Sequence, residues 1–232
     1  MVAATRLPDS EALLPRFDRV ERFVHWLNAA LFAVLILTGA TLYFAPLMAA
    51  IGRRDLVQNI HVYSGIALPV PLALAVVGRW GRGLRADIAR FNRWSDDDKR
   101  WLRRAVARRG RRAQFHDGIR VGKFNAGQKL NASFVVGLIV VMLGTGIVME
   151  WYHPYPLAWR TGATLVHDWL SLAAVVVIAG HICLALADRE SLQSMWRGTI
   201  ARSWAERHAP GWIAELEESG LTDRRTPPRS TR

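Results

Sequence analysis

The sequence predicts an all-α integral membrane protein: a four-transmembrane-helix bundle with both termini cytoplasmic and a long basic loop between the second and third helices. Two observations predict it. First, apolar residues fall in long blocks. No Asp, Glu, Lys or Arg lies between Arg22 and Arg53, between Asp55 and Arg79, or between Lys129 and Glu150, and the block from Leu165 to Ala187 holds one acid, Asp168. A span needs about 20 mostly apolar residues at about 1.5 Å rise each, and every block meets that length. Four such blocks argue against a soluble bundle of buried helices. Second, the charges between the blocks are unequal. The stretch Arg79 to Lys129 holds sixteen Lys and Arg against five acids, whereas the other two connections carry Arg53 and Arg54 in one and Arg160 in the other. Cationic loops stay on the cytoplasmic side.

The elements follow in order. Residues 1–19 form a cytoplasmic segment. Its acids Asp9, Glu11 and Asp18, followed by Glu21 and a block long enough to span, do not read as a secretory signal. The membrane domain, 20–187, has helices near 20–44, 60–80, 131–152 and 165–187, with Pro69 and Pro71 kinking the second. The basic loop, 81–130, includes a surface helix from about Ser95 to Arg109, with Trp94 and Trp101 at headgroup level. Arg103, Arg104, Arg108, Arg109, Arg111 and Arg112 are expected to meet anionic membrane lipids or a partner, or to act only as a topology signal. Residues 188–232 make an amphipathic segment, broken at Pro210, with Trp196, Trp204 and Trp212 as interfacial anchors. A Pro-rich tail from Thr222 is expected to be disordered.

Composition excludes several functions. The formal net charge of +12 sits in membrane-flanking segments, so no nucleic-acid partner is expected. The single cysteine, Cys183, allows neither an internal disulfide nor a self-contained iron–sulfur cluster, and no C-x-x-C-H attaches a c-type haem. Cys183 reads as a small packing residue.

Seven histidines remain. His116 and His208 lie in charged segments and read as solvated, and His153 reads as a loop residue or a spare ligand. His25, His61, His167 and His181 lie within the spans, where an ionisable side chain is costly and marks function. His167 and His181 are 14 residues apart. At about 100° per residue they return to within roughly 40° of one direction, about 21 Å apart along the axis. Topology then pairs the four by depth: His61 with His167 towards the outer side, His25 with His181 towards the inner side. Two imidazoles from facing helices can clamp a haem iron and leave no open position for dioxygen, so the chemistry is electron transfer. A proton relay or a non-haem transporter is the alternative of another class. It calls for more intramembrane acids than Asp168, which itself reads as facing the outer water. Gly39, Gly65, Gly137, Gly144, Gly146 and Gly180 permit close approach of helices or of a flat macrocycle.

The pattern resembles the dihaem cytochrome b (gamma) subunit of membrane-bound formate dehydrogenases, within a superfamily that includes the cytochromes b of nickel–iron hydrogenases and thiosulfate reductases. The features that carry the resemblance are R-F-x-x-x-E-R-F-V-H-W at Arg16 to Trp26, N-I-H-V-Y-S-G at Asn59 to Gly65, K-F-N-A-G-Q-K at Lys123 to Lys129, and the His167/His181 pair. The resemblance implies a bacterial cytoplasmic (inner) membrane location and two haems b. It also implies a quinone site (menaquinone or ubiquinone) at Asn125, Gly127, Gln128 and His181. Asn125 supplies an amide for a quinone carbonyl and Gly127 lets the backbone approach a ring, although Asn and Gly also suit an ordinary helix N-terminus. The implied partners are an iron–sulfur (beta) subunit and a molybdopterin-containing catalytic (alpha) subunit that oxidises formate. Electrons would pass to the outer haem, the inner haem and the quinone. A hydrogenase or thiosulfate reductase cytochrome is the alternative within the same chemistry. The basic loop is longer than a connector needs and could dock a cytoplasmic partner, which leaves the side of electron entry open.

Overall fold

A computed structural model describes residues 12–107 and 118–220. His116, Arg108, Arg109, Arg111, Arg112 and the tail from Thr222 lie outside the described residues. Four helices are long and apolar enough to span: Arg19–Tyr43, Arg54–Val77, Ala126–Glu150 and Leu157–Ala187. Between 6% and 11% of each apolar window is buried within the protein, so these helices present apolar side chains outward. Leu37, Tyr63, Val140, Trp169 and Leu184 are all exposed. In water such a surface would aggregate; in hydrocarbon it is the correct exterior. The chain is an all-α membrane bundle.

In chain order, β1 (Leu13–Pro15) leads into α1 (Arg19–Tyr43). Asp18 caps α1: its carboxylate accepts from the Glu21 amide at 2.8 Å, and Glu21 accepts from the Asp18 amide at 2.5 Å. A short α2 (Ala45–Ile51) turns the chain into α3 (Arg54–Ala67) and α4 (Val70–Val77). These two form one span, interrupted where Pro69 and Pro71 remove amide donors, as the sequence predicts. The basic connection is folded, with α5 (Arg82–Phe91) and α6 (Asp96–Ala107). Then come α7 (Ala126–Glu150) and α8 (Leu157–Ala187). Helix α1 packs along α3, α7 along α8, and α3 against α7, where Gln58 donates to Glu150 at 3.0 Å.

Three spans start earlier than the apolar blocks predict: at Arg54 rather than 60, Ala126 rather than 131, and Leu157 rather than 165. Charges mark where hydrocarbon ends, while capping marks where the helix ends. Asn125 and Gln128 form a reciprocal capping box that starts α7 before Lys129, and Pro156 precedes the first turn of α8.

After α8 come α9 (Arg189–Arg197), β2 (Thr199–Ala201), α10 (Arg202–His208) and α11 (Pro210–Glu218). β2 pairs antiparallel with β1, with Leu14 opposite Ile200. Gly198 sits at φ +83°, and its carbonyl accepts from the Arg16 and Phe17 amides at 2.8 and 3.1 Å. A side chain there would be strained and would strike the Phe17 carbonyl. Leu14, Ile200, Trp204, Ala205, Ala209, Trp212 and Ile213 form a buried cluster. Trp204 and Trp212 are therefore core residues of a small extramembrane unit and not the interfacial anchors that the sequence predicts. A Trp on one face of a short amphipathic helix can serve either role. Trp196 is exposed and stacks on Trp26 with ring centres 3.9 Å apart. Cys183, read from the sequence as a small packing residue, is exposed.

Candidate functional site

The bundle brings the four span histidines together as two facing pairs. His25 in α1 and His181 in α8 have ring centres 6.2 Å apart with the planes at 60°. His61 in α3 and His167 in α8 have ring centres 6.3 Å apart at 62°. His167 and His181 belong to one continuous helix, so the pairs lie about 21 Å apart along it. The His25–His181 pair is at the end of the bundle that carries β1 and α9. Imidazole binds first-row metals at about 2.0–2.1 Å through nitrogen. Its ring centre lies about 1.1 Å behind that nitrogen, so two rings on one metal need centres about 6 Å apart. Both pairs meet that spacing, and the residues fit a bis-imidazole haem. His61 and His167 are also oriented from behind: Nδ1 of His61 is 2.9 Å from the Thr38 hydroxyl, and Nδ1 of His167 is 2.9 Å from the Thr145 hydroxyl.

The glycines divide by what they face. A Cβ on Gly39 would come within 3.3 Å of the His61 ring, and one on Gly146 within 3.6 Å of the His167 ring. Gly65 faces Leu35, and Gly137, Gly144 and Gly180 have no protein atom within 4 Å of the Cβ position. The close approach expected of all six is thus towards a histidine at two. His153 is exposed and stacks on Tyr152 with ring centres 4.4 Å apart. Asp168 is exposed.

Asn125, Gly127 and Gln128 form the first turn of α7. The Asn125 side-chain oxygen accepts from the Gln128 amide at 2.9 Å, and the Gln128 oxygen accepts from the Asn125 amide at 3.0 Å. Both side-chain oxygens are committed to the cap, and what each amide can still offer is its NH₂. Gly127 lies against the Trp101 indole, where a Cβ would come within 3.0 Å. A cavity of about 70 Å³ beside this turn is lined by Lys123, Asn125, Gln128, Asp188 and His208. Ligand pockets for cofactors are several-fold larger, so this cavity holds water at most. His208 is half-buried rather than solvated: its ring stacks on Trp204 with centres 4.8 Å apart, and Nδ1 meets the Trp204 carbonyl at 3.0 Å.

Sequence reasoning misses the residues that lock this end. Lys123 is buried, with Nζ 2.5 Å from Asp87 and 3.8 Å from Glu21. Lys129 is buried too: it donates to Asp98 and to the Arg93 carbonyl, each at 2.8 Å. Asp87 is on α5 and Asp98 on α6, so the two lysines of K-F-N-A-G-Q-K fasten the basic connection to the start of α7. Arg16, also buried, donates to Ser191 and Ser194 at 3.1 and 3.3 Å and lies over the Trp204 ring at 4.5 Å. Burial lowers its pKa to about 10 against the opposing pull of Asp188 and Asp87, so it remains charged at neutral pH.

The chain is similar to known membrane cytochromes b. The chain is 26% identical over 219 residues to the nitrate-inducible formate dehydrogenase cytochrome b556(Fdn) subunit of Escherichia coli K12, covering 89% of this chain and 93% of that one. It is 24% identical over 213 residues to the formate dehydrogenase cytochrome b556(fdo) subunit of the same organism, covering 88% and 93%. It is 24% identical over 214 residues to the formate dehydrogenase cytochrome b556 subunit of Haemophilus influenzae, covering 87% and 85%. The sequence profile described as prokaryotic cytochrome b561 matches residues 16–198, from the buried Arg16 to the Gly198 turn. The chain belongs to the prokaryotic cytochrome b561 family, a family of membrane cytochromes b that implies haem b.

Proposed function

We propose that this chain is the membrane-anchoring dihaem cytochrome b subunit of a formate dehydrogenase complex, linking an iron–sulfur subunit to the membrane quinone pool. The observation that carries the reading is the pair of facing imidazoles at each end of α8, both at the spacing that two rings on one iron require. His61 and His167 would hold one haem b, and His25 and His181 the other. Held by two imidazoles, haem would supply one-electron transfer and leave no open site for dioxygen. The protein's part is to hold four rings at fixed separation on rigid helices and to exclude water with an apolar exterior. The charge distribution supports cytoplasmic termini, and with that orientation His25 and His181 would lie on the inner side.

Quinone is assigned to Asn125, Gly127, Gln128 and His181. The Asn125 and Gln128 NH₂ groups are donors suited to a quinone carbonyl, and Gly127 lets Trp101 close over the turn. The 70 Å³ cavity is too small for a quinone ring, so the ring would have to approach from outside that cavity. The assembly named for the relatives supports a formate-oxidising partner, with molybdopterin and iron–sulfur subunits outside this chain.

The test is to purify the complex through a tag on this chain and add electron donors under argon. Formate is expected to produce the reduced b-type spectrum within seconds, and hydrogen is expected to leave it oxidised. Reduction by hydrogen and not by formate would instead assign the chain to a hydrogenase.

A further inference from the structure

The dipeptide Thr–Gly occurs three times within spans, and two of the copies, Thr38–Gly39 in α1 and Thr145–Gly146 in α7, face a histidine of the neighbouring helix, His61 on α3 and His167 on α8. The third, Thr161–Gly162 in α8, does not. The threonine contacts repeat at both sites, with the Leu35 carbonyl as an additional acceptor for His61 only. Each threonine hydroxyl sits back on its own helix, 2.7 Å from the Val34 carbonyl for Thr38 and 2.8 Å from the Val141 carbonyl for Thr145. A hydroxyl has one proton to give, and it goes to that carbonyl. Towards the imidazole the oxygen can therefore only accept. At 2.9 Å the donor must be Nδ1–H of His61, and likewise of His167. A neutral imidazole with its proton on Nδ1 carries its lone pair on Nε2, and that is the atom able to bind a metal. The following glycine backs the ring: a Cβ on Gly39 would press on Cε1 of His61 at 3.3 Å, and one on Gly146 would sit in ordinary contact with Cε1 of His167 at 3.6 Å.

We propose that Thr38 and Thr145 are positioning residues for the haem held by His61 and His167, each fixing the tautomer of its histidine and strengthening its donation to the iron, with Gly39 and Gly146 as the backing for the two rings. This rests on those histidines being haem ligands. An acceptor behind a ligating imidazole raises its basicity, which favours ferric iron and lowers the reduction potential of that haem. The other pair differs: among the described residues no hydrogen bond reaches the ring nitrogens of His25 or His181. That second haem is therefore an internal reference.

The test uses the purified holocomplex, with haem counted per chain, an optical redox titration and the electron paramagnetic resonance g values of the ferric haems. Thr38→Val and Thr145→Val are expected to keep two haems and to raise the potential of one. The shift in its reduction equilibrium is on the order of tenfold, or about 59 mV for one electron. The reference haem is unchanged, and Thr38→Ser and Thr145→Ser titrate like the parent. Loss of one haem in the valine variants but not in the serine variants supports the same role. Unchanged potentials and g values in the double valine variant with two haems overturn the proposal, as does loss of haem in the serine variants. Failure of the underlying reading is separate: a parent protein without two haems, or His61→Ala retaining both, removes the ligand assignment itself.

Discussion

His181→Ala is expected to lower haem content from two per chain to one and to reduce formate-driven quinone reduction by more than about a hundredfold. Loss of a partner behind a metal ligand typically costs 10–100-fold, and loss of the ligand itself costs more. The remaining haem keeps its spectrum, because His61 in α3 and His167 in α8 form a separate pair, about 21 Å from His181 along α8. His181 stands in both assignments, as ligand and as neighbour of the quinone, so a second substitution separates them. Asn125→Asp retains a helix cap, since a carboxylate accepts from the Gln128 amide as the present oxygen does. It removes the NH₂ donors. Quinone reduction is therefore expected to fall with both haems in place and thermal stability unchanged. Normal quinone turnover in both variants would contradict the quinone assignment.

Lys123→Ala is expected to be the most destabilising single change outside the ligands. It leaves Asp87 and Glu21, both buried, without the ammonium that lies 2.5 Å from one and 3.8 Å from the other. Removing one partner of a buried ion pair costs about 3–5 kcal/mol when the other charge is left alone, and Arg90, 3.0 Å from Asp87, brings the expected cost to the lower end of that range. For a domain of this size that is a fall in Tm of roughly 10 °C, measured by thermal unfolding of the detergent-solubilised protein. Lys123→Met with Asp87→Asn removes the closest charged pair together and is expected to recover part of the loss, since the two groups are in contact and their effects are not additive. Equal stability of the parent and Lys123→Ala would show that the lysine does not hold α5 to the start of α7.

The spans were legible because hydrocarbon imposes a composition on about 20 consecutive residues. Their starts were less so, because the Asn125–Gln128 capping box lies outside the apolar block it begins. The pairing of the histidines followed from a 14-residue spacing within one helix and the alternating direction of the spans. Thr38 and Thr145 could not be assigned in the same way. They reach their histidines from other helices, and sequence separations of 23 and 22 residues carry no geometric meaning across a turn. Lys123 and Lys129 looked like two more members of a cationic loop. Their carboxylate partners, Asp87 and Asp98, lie 36 and 31 residues earlier, on helices whose position only the folded connection reveals. Trp204 and Trp212 were misplaced for a related reason: interfacial and buried tryptophans look alike on a short amphipathic helix, and the strand Leu13–Pro15 that covers them is remote in sequence.

The most direct test of the central claim is a haem count on the purified chain by a pyridine haemochrome assay against quantified protein, repeated on His25→Ala and His61→Ala. Two non-covalent b-type haems per chain are predicted for the parent and one for each variant, with a different haem lost in each. A parent holding one haem or none, or a variant that keeps both, would contradict the assignment of these four histidines.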